Sequence, residues 1–333
     1  MNIQKVSLKD YSSFKIGGEG EMVNVKSKSE LLEAINFANS ENRKYYILGE
    51  GTNVIFSDTA SNILFIKMEI DGIDIDDSSD DILLTANAGE VWDEVVRLSV
   101  DKRWWGIENL SLIPGTVGAA PVQNIGAYGV EIGDVLQSVE VLDTEQNIFK
   151  QLTPSDCNFG YRDSIFKQKP GRYIIVSICL RLSRKPKPVL IYKPLDTLLN
   201  KADLQLSDIR DLVVSTRQAK LPDYHLYPNT GSFFKNVVVS PGVFENLRHT
   251  YPDIPSHEQA TGYKVPVAWL IEHLADMKGV RVGDVGTWPT QPLVLVNYGS
   301  ASYSDLRDFS ESIIKKIHDK TGITIEREVN VVG

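Results

Sequence analysis

The sequence has little cysteine and no long apolar run. Cys157 and Cys179 are the only cysteines in 333 residues, and they form neither a C-x-x-C pattern nor a metal-ligand spacing. A disulfide scaffold is therefore excluded. No stretch approaches the roughly 18 uninterrupted apolar residues that a membrane helix requires, and the first residues lack the basic flank and apolar run of a signal peptide. We expect a cytoplasmic protein without a membrane partner.

Basic residues are also scarce relative to acidic ones. The sequence has 35 Lys and Arg against 44 Asp and Glu, which gives a net charge of −9. Non-specific nucleic-acid binding needs a basic face, so we expect no nucleic-acid partner. An anionic ligand would have to be met by a local group of Lys, Arg and backbone amides, because the overall field repels it. None of the five histidines pairs with a Cys or carboxylate at metal-ligand spacing, so no metal is expected.

The length indicates two or three domains, and no internal repeat or long linker separates them. Apolar periodicity, strand-forming residues and the S-x-x-E pattern at Ser27 predict an α+β protein. The predicted helices are Lys28–Asn39, Val91–Val100, Ser207–Lys220, Val267–Met277 and Ser304–Lys320. The predicted strands include Ser138–Leu142, Ile148–Leu152, Tyr173–Leu180, Leu293–Val296 and Ile323–Val332.

A short glycine-containing loop, Gly49-Glu-Gly-Thr-Asn53, lies between two apolar strands. Glycine lets the backbone approach a ligand and reach positive φ, and a loop with free N–H groups can bind an anion. The loop lacks the G-x-G-x-x-G dinucleotide pattern. A plain tight turn is an equally good interpretation of this segment alone.

A second segment, residues 113–129, is unusually rich in small residues. It reads IPGTVGAAPVQNIGAYG, with four Gly, three Ala and two Pro. Small residues at this density clear a path for a large flat ligand, and Gln123, Asn124 and the backbone amides can hydrogen-bond its polar edge. The alternative is a conformationally demanding loop that binds nothing.

Together these segments resemble the flavin-binding half of the UDP-N-acetylenolpyruvoylglucosamine reductase family, within the wider p-cresol methylhydroxylase and vanillyl-alcohol oxidase superfamily. The family's loop is usually LGxGSN, and Thr52 here keeps the hydroxyl of the usual Ser. Neither segment contains His or Cys, so the resemblance implies non-covalent FAD.

Three further stretches carry the same resemblance. Residues 161–167 read YRDSIFK, like the family's YRDSxFK. Residues 217–223 (RQAKLPD) and 231–236 (GSFFKN) are similar to its RxxKLPD…GSFFKN block, and residues 326–329 (EREV) to its C-terminal ExEV. Five motifs in the family's order span residues 48–330, nearly the whole chain.

The resemblance implies an α+β fold with a two-part FAD-binding unit of the p-cresol methylhydroxylase type and a smaller α/β substrate-binding domain. The expected boundaries are 1–66 and 67–216 for the two FAD-binding subdomains, with the FAD-binding unit itself at about 16–186. The substrate-binding domain is expected at 217–320, followed by a C-terminal strand at 321–333 that carries a catalytic Glu.

The resemblance also assigns the ligand contacts. FAD is assigned to Gly49, Glu50, Gly51, Thr52, Asn53, Pro114, Gly115, Thr116, Gly118, Ala119, Gln123, Asn124, Gly126, Ala127, Tyr128 and Gly129. The substrate, UDP-N-acetyl-enolpyruvoylglucosamine, is assigned to Tyr161, Tyr192, Arg217, Lys220, Lys235, Asn236 and Gln291.

Some of these substrate residues also have a physical rationale. Arg217 and Lys220 lie three residues apart at a predicted helix end and so share a face, which provides the local positive charge that a pyrophosphate needs. Tyr192 matches the substrate-capping tyrosine of the family's longer class, whose loop closes over the nucleotide. Gln291 stands where a family Gln contacts substrate, although Trp288 replaces a frequent His.

Three residues fit the reduction of an enolpyruvyl double bond. Hydride addition to the terminal carbon leaves an enolate, whose two oxygens an Arg can hold through two parallel hydrogen bonds. The resemblance gives that role to Arg162. Glu328 matches a carboxyl that helps to stabilise the enolate by donating a hydrogen bond to it, for which it must stay protonated near neutral pH. Ser232 matches the residue that protonates the carbon, with help from neighbours such as Lys235.

The implied reaction belongs to cytoplasmic peptidoglycan precursor synthesis. NADPH reduces FAD, NADP⁺ leaves, and the enolpyruvyl substrate then takes hydride from flavin N5 and becomes UDP-N-acetylmuramate; the protein is expected to be a monomer. Two other functions stay open. A flavin oxidase acting on a sugar alcohol is disfavoured by the RxxKLPD…GSFFKN block. A non-catalytic nucleotide-sugar sensor is disfavoured because Arg162, Ser232 and Glu328 are all kept.

Overall fold

Two helices of this protein begin at serine residues whose side chains cap the first turn. The computed structural model describes residues 1–259 and 261–333. In it, Ser27 accepts a hydrogen bond from the Glu30 N–H, and Ser302 forms a reciprocal capping box with Asp305. The Glu30 carboxylate accepts from the Lys26 N–H rather than from the Ser27 N–H. Of the two hydrogen bonds in the capping box predicted at Ser27, only the one accepted by the Ser27 side chain is therefore formed.

The regular elements follow in chain order. The helices are α1 (Lys28–Ser40), α2 (Trp92–Asp101), α3 (Ile165–Gln168), α4 (Leu206–Lys220), α5 (Pro241–Thr250), α6 (Val267–Trp269) and α7 (Tyr303–Thr321). The strands are β1 (Gln4–Ser7), β2 (Glu19–Val25), β3 (Tyr45–Leu48), β4 (Val54–Phe56), β5 (Leu64–Met68), β6 (Ile73–Asp76), β7 (Asp81–Asn87), β8 (Gly126–Ala127), β9 (Val130–Glu131), β10 (Leu136–Asp143), β11 (Ile148–Leu152), β12 (Tyr173–Ser183), β13 (Asn229–Ser232), β14 (Val237–Val239), β15 (His257–Gln259), β16 (Gly262–Val265), β17 (Arg281–Val282), β18 (Val285–Thr287), β19 (Val294–Asn297) and β20 (Asn330–Val332).

The chain divides into two units, each of which contains discontinuous segments. Unit 1 comprises Met1–Val6, Gly20–Glu50 and Asn62–Ala219. Unit 2 comprises Ser7–Glu19, Gly51–Ser61 and Lys220–Gly333.

Unit 1 contains two larger sheets, and Leu142 and Val176 of the antiparallel one belong to the same core as helix α1. One has the strand order β1-β2-β5-β3, with β2 and β3 both parallel to β5. The apolar face of α1, including Leu31 and Ile35, belongs to the core of this sheet. The other sheet is antiparallel, with the order β11-β10-β12-β7-β6. Its core contains the inward side chains of β7 and the buried Trp92 of α2.

Unit 2 contains a four-stranded sheet, β13-β19-β18-β17, and a three-stranded sheet, β14-β16-β15. The C-terminal strand β20 pairs in parallel with β4 from the segment Gly51–Ser61. The core combines residues of α7 with Phe14, Ile55 and Phe233. Residues from all three segments of unit 2 therefore share one core.

Most predicted elements of the α+β fold are confirmed, and two are wrong in detail. The predicted helix Val267–Met277 is helical only to Leu274, and its residues Leu270–Leu274 form a π turn. The predicted strand Ile323–Val332 is reduced to β20. Arg327 bridges Phe234 in an antiparallel sense whereas Asn330 pairs with Val54 in parallel, so a change of partner breaks the strand.

Candidate active site

The small-residue run of unit 1 is packed too closely to hold larger side chains. It folds into a 3-10 helix over Val117–Gln123 and the short β8–β9 hairpin. A Cβ at Gly118 would lie 2.6 Å from the Ala88 Cβ. Asn124 and Tyr128 both adopt positive φ, at 44° and 49°. The other predicted FAD residues of this run are Pro114, Ala119, Gln123 and Ala127.

The start of the first predicted cofactor segment, Gly49-Glu50, meets the small-residue run within unit 1. A Cβ at Gly49 would lie 2.5 Å from the Thr116 Oγ1, and the Glu50 Oε2 accepts a hydrogen bond of 2.9 Å from the Gly115 N–H. The Lys67 Nζ donates to the Gly49 carbonyl at 2.7 Å. Burial lowers the pKa of Lys67, although nearby carboxylates oppose that effect. The segments form one backbone-rich cradle in which side chains are kept small.

Arg162 is held rigidly beside this cradle. Its backbone has a φ of 54°, and its Nη2 donates to the Gly126 carbonyl at 2.9 Å. The guanidinium carbon lies 5.4 Å from the centre of the Tyr161 ring, and the Lys167 Nζ donates to the Arg162 carbonyl at 3.1 Å. Both ends of this arginine are therefore fixed by unit 1.

Arg217 provides a second cation in the same unit. Its Nε is buried and has no hydrogen-bond partner among the described residues. Burial lowers the pKa of Arg217 and repulsion from Arg162 adds to this, whereas Tyr128 and Asp93 act in the opposite direction. Two mutually repelling guanidinium groups, one with an unsatisfied N–H, favour an anionic ligand.

Tyr192 packs on the end of the small-residue run. A Cβ at Gly129 would lie 2.8 Å from the Tyr192 Cδ2, and the Tyr192 side chain is 49% exposed. The Asn109 amide donates to the carbonyls of Tyr128 and Val189, both at 2.9 Å. A buried asparagine thus connects the cofactor run to the segment that carries Tyr192.

Unit 2 brings Ser232 and Glu328 close together in the backbone. The Glu328 N–H donates to the carbonyl of Phe233, next to Ser232, at 2.8 Å. The Lys235 N–H donates to the Glu326 carbonyl at 2.9 Å, so the two segments run side by side. Both Ser232 and Glu328 are half-buried.

The end of the first cofactor segment joins this pair. The Asn53 Nδ2 donates to the Glu328 carbonyl at 3.4 Å, and the Asn330 N–H donates to the Asn53 carbonyl at 3.1 Å. Gly51, with a φ of 77°, leaves no room for a side chain, because a Cβ there would lie 1.9 Å from the Tyr11 carbonyl oxygen. Thr52, which lies between Gly51 and Asn53 in the chain, is half-buried.

The remaining predicted substrate residues also lie in unit 2. Gln291 occupies the turn before β19, and its Oε1 is buried without a hydrogen-bond partner among the described residues. The neighbouring Thr290 hydroxyl donates to the Lys220 carbonyl at 2.9 Å. Lys235 pairs with Glu326 at 3.1 Å, and the Asn236 Oδ1 accepts from the Val267 N–H at 3.0 Å.

The sequence interpretation missed two buried polar residues beside Ser232. Asn229 and Thr230 are 5% and 7% exposed, and the Thr230 hydroxyl has no hydrogen-bond partner within the described part of the chain. The Asn229 Oδ1 accepts from the Gly231 N–H at 2.8 Å, which forms an Asx turn. The Asn-x-Gly pattern was the available signal for this turn.

Residues 1–259 and 261–333 contain neither a metal-ligand cluster nor a helix suited to cross a membrane. No group of three or more His, Cys, Asp and Glu side chains in these ranges could hold a metal ion. No helix in the same ranges has both the length and the apolar character to cross a membrane.

Known proteins match both halves of the chain. Residues 21–150 match the FAD binding domain family, and residues 222–332 match the family described as UDP-N-acetylenolpyruvoylglucosamine reductase, C-terminal domain. The protein of that enzyme name from Idiomarina loihiensis is 38% identical over 329 residues, which cover 98% of this chain and 96% of that protein. Its namesake from Flavobacterium johnsoniae is 38% identical over 341 residues, with full coverage of both chains, 100% and 100%.

A solved structure shows the same fold. The crystal structure of UDP-N-acetylenolpyruvylglucosamine reductase from Thermus caldophilus superimposes with a TM-score of 0.71, covering 100% of both chains at 23% identity. At that identity the likeness concerns the fold alone.

Proposed function

This chain belongs to the UDP-N-acetylenolpyruvoylglucosamine reductase family, and from that premise we propose the activity and the residue roles that follow. It is an FAD-dependent oxidoreductase that reduces UDP-N-acetyl-enolpyruvoylglucosamine to UDP-N-acetylmuramate. The observation that carries this conclusion is 38% identity to enzymes of that name over the full length of both chains.

The two small-residue segments hold FAD. Gly49, Gly115 and Thr116 form a closely packed cradle of small residues, which lets the backbone approach a dinucleotide with a flat ring system. When bound there, FAD supplies the hydride that the enolpyruvyl carbon accepts, and NADPH is the proposed source of that hydride. The protein's own contribution is to orient the reactants and stabilise charge.

Arg217 and Lys220 hold the pyrophosphate of the substrate, with Lys235 as a further cation. The support for Arg217 is its buried, unpaired Nε and its repulsion by Arg162, both of which an anion would relieve. The net charge of the chain is −9, so its overall field repels an anionic substrate. The local positive charge of these residues would offset that repulsion.

Arg162, Glu328 and Ser232 act on the enolpyruvyl group. Arg162 holds the carboxylate oxygens on which negative charge develops, and its anchored guanidinium needs little reorganisation. Glu328 donates a hydrogen bond to the same enolate. Ser232 delivers a proton to the carbon beside the carboxylate, and its proximity to the Glu328 backbone within unit 2 supports a shared role.

The cellular setting is part of the same proposal. We place the reaction in the cytoplasm, where nucleotide-sugar precursors are made, and the chain acts as a monomer. Asn236, Gln291, Tyr161 and Tyr192 complete the substrate contacts, with Tyr192 closing over the nucleotide.

The absorption spectrum of the purified protein tests this function. We expect a yellow protein that is bleached anaerobically by NADPH and recovers its colour on addition of enolpyruvyl-UDP-N-acetylglucosamine. A colourless protein that FAD cannot reconstitute would contradict the proposal. Oxygen consumption with sugar alcohols, without reoxidation by the enolpyruvyl substrate, would identify an oxidase instead.

A further inference from the structure

Strand β13 contains a bulge immediately before Ser232. The strand pairs with β19 at Asn229↔Val296 and at Ser232↔Val294, so three steps along β13 match two along β19. An extra residue of this kind bends the strand and redirects the side chain that follows. Gly231 takes up the bend with a φ of 70°, a conformation that residues with a side chain rarely adopt.

The side chain of Asn229 completes the bulge. Its Oδ1 accepts from the Gly231 N–H at 2.8 Å, a group that the bulge removes from the β13–β19 ladder. Its Nδ2 donates to the carbonyls of Tyr227 and Pro222 at 2.7 and 3.3 Å. Two carbonyls on one side and an N–H on the other allow only this orientation of the amide.

The backbone of Asn229 is fixed as well. The Ser13 hydroxyl donates to the Asn229 carbonyl at 2.6 Å, and both residues are buried. Asn229 therefore connects three parts of unit 2: the segment around Ser13, the turn between Pro222 and Tyr227, and the bulge before Ser232. Such a buried network holds its members in one arrangement when every group is paired.

We propose that Asn229 is a positioning residue that aims the Ser232 hydroxyl, an inference that rests on the proposed role of Ser232 as proton donor. Without the Asn229 acceptor, the Gly231 N–H loses its partner and the strand relaxes toward regular pairing with β19. A change of one residue in register turns a side chain to the other face of a sheet. Ser232 then no longer points at the substrate carbon.

The test compares the two half-reactions of Asn229→Ala in the full-length, FAD-loaded protein. Anaerobic stopped-flow should show flavin reduction by NADPH at the wild-type rate. Reoxidation by enolpyruvyl-UDP-N-acetylglucosamine should slow by roughly 10- to 100-fold, as expected for a displaced catalytic group. Equal rates of reoxidation in the variant and the wild type would overturn the inference.

A double-mutant cycle with Ser232→Ala separates positioning from general damage. If Asn229 acts through Ser232, Asn229→Ala should have no further effect on reoxidation in the Ser232→Ala background. Further slowing in that background would show that Asn229 acts on the fold or on substrate binding, and the inference would fail.

Asn297 provides a matched control. It is a buried asparagine, 2% exposed, on β19 of the same sheet, and its Nδ2 donates to the Phe14 carbonyl at 3.1 Å. Asn297→Ala should lower the thermal stability much as Asn229→Ala does, but leave reoxidation at the wild-type rate. Slowing by both variants would mean that loss of any buried asparagine here has the same effect.

Gly231→Ala tests the bulge without disturbing the buried network. No described atom lies within 4 Å of an added Cβ there, so the substitution is strained only by its φ of 70°. The Gly231→Ala variant should fold even if Asn229→Ala does not. It should slow reoxidation by the enolpyruvyl substrate but not flavin reduction by NADPH. In the Ser232→Ala background it should have no further effect. If the wild type itself is not reoxidised by the enolpyruvyl substrate, the proposed function fails. If the wild type is reoxidised and Gly231→Ala is normal, the positioning inference fails.

Discussion

At the scale of single residues, Ser232 carries the most specific prediction. Ser232→Ala should fold, bind FAD and be reduced by NADPH at a near-normal rate, because flavin reduction needs no substrate protonation. Reoxidation by the enolpyruvyl substrate should slow by roughly 10²- to 10⁴-fold, the range typical of losing a general acid. Stopped-flow measurement of each half-reaction checks this. Equal slowing of both would indicate disturbed flavin geometry, and normal reoxidation would show that Ser232 is not the acid.

Arg217 should govern substrate affinity. Arg217→Ala removes a charge-assisted contact worth about 1.5–3 kcal/mol, so the substrate KM should rise roughly ten- to a hundred-fold. Flavin reduction by NADPH should change far less. Arg97→Ala is the control, because it removes the same charge from an exposed side chain of the same unit. A KM that rises equally in both variants would indicate the overall field rather than a contact.

The sequence could name residues whose chemistry is visible in a motif, but not those that act through a fold contact. Arg162, Ser232 and Glu328 stand in recognisable motifs, and their roles stay predictions. Asn229 was missed because its importance depends on Ser13, which lies 216 residues away, and on a bulge whose partner strand is β19. No local sequence pattern around Asn229 predicts its contact with Ser13 or the pairing of its strand with β19.

At the scale of elements, one carboxylate connects α2, α4 and the start of the cofactor run. Asp93 accepts two hydrogen bonds of 2.8 Å from Arg210 and one of 2.5 Å from the Leu112 N–H. Burial alone would raise the pKa of Asp93, but these bonds and the charges of Arg210 and Arg217 outweigh it and hold the pKa below its usual 3.8. The ionised form therefore stabilises the fold.

The stability that Asp93 contributes should depend on pH in a defined direction. Because its folded pKa lies below the unfolded value of 3.8, the contribution is complete above that pH and is lost as pH falls through the folded pKa. Asp93→Asn should lower the free energy of unfolding by about 1–3 kcal/mol at pH 7, and the difference should shrink in acid. Urea unfolding at several pH values checks this. The control is Asp101, an exposed residue of the same helix that lies 3.7 Å from Arg97. Asp101→Asn should have little effect on the free energy of unfolding at any pH.

Elements with a single local pattern were predicted well, and those that depend on a change of partner were not. The β10–β11 hairpin and the helices α4 and α7 follow from periodicity, caps and turn residues. Residues 323–329 alternate between buried and exposed side chains, as in a strand. Their backbone nevertheless changes its pairing partner, from Phe234 at Arg327 to Val54 at Asn330. Periodicity shows which side chains are buried but not which backbone they pair with.

At the scale of the whole molecule, chain order and spatial grouping differ. Residues 7–19 and 51–61 are far from residue 220 in the chain, but they belong to unit 2. Phe14 and Ile55 are both 0% exposed within its core, and β4 is the partner of β20. Apolar composition could mark these residues as buried, but it could not show which core they enter. The domain boundaries expected from the sequence stay predictions.

This grouping predicts how the molecule responds to being cut. A fragment of residues 220–333 keeps α7 and the β13-β19-β18-β17 sheet but lacks Phe14, Ile16 and Ile55 from its core, and β20 lacks its partner. Burying each such side chain is worth about 1.5–3 kcal/mol, so their loss together rivals the roughly 5–15 kcal/mol that stabilises a typical domain. The fragment alone should show no cooperative thermal transition by circular dichroism. Residues 1–219, co-produced as a separate chain, should restore one, because they bring both missing segments. A cooperative transition of the isolated fragment would show that those segments are dispensable to unit 2.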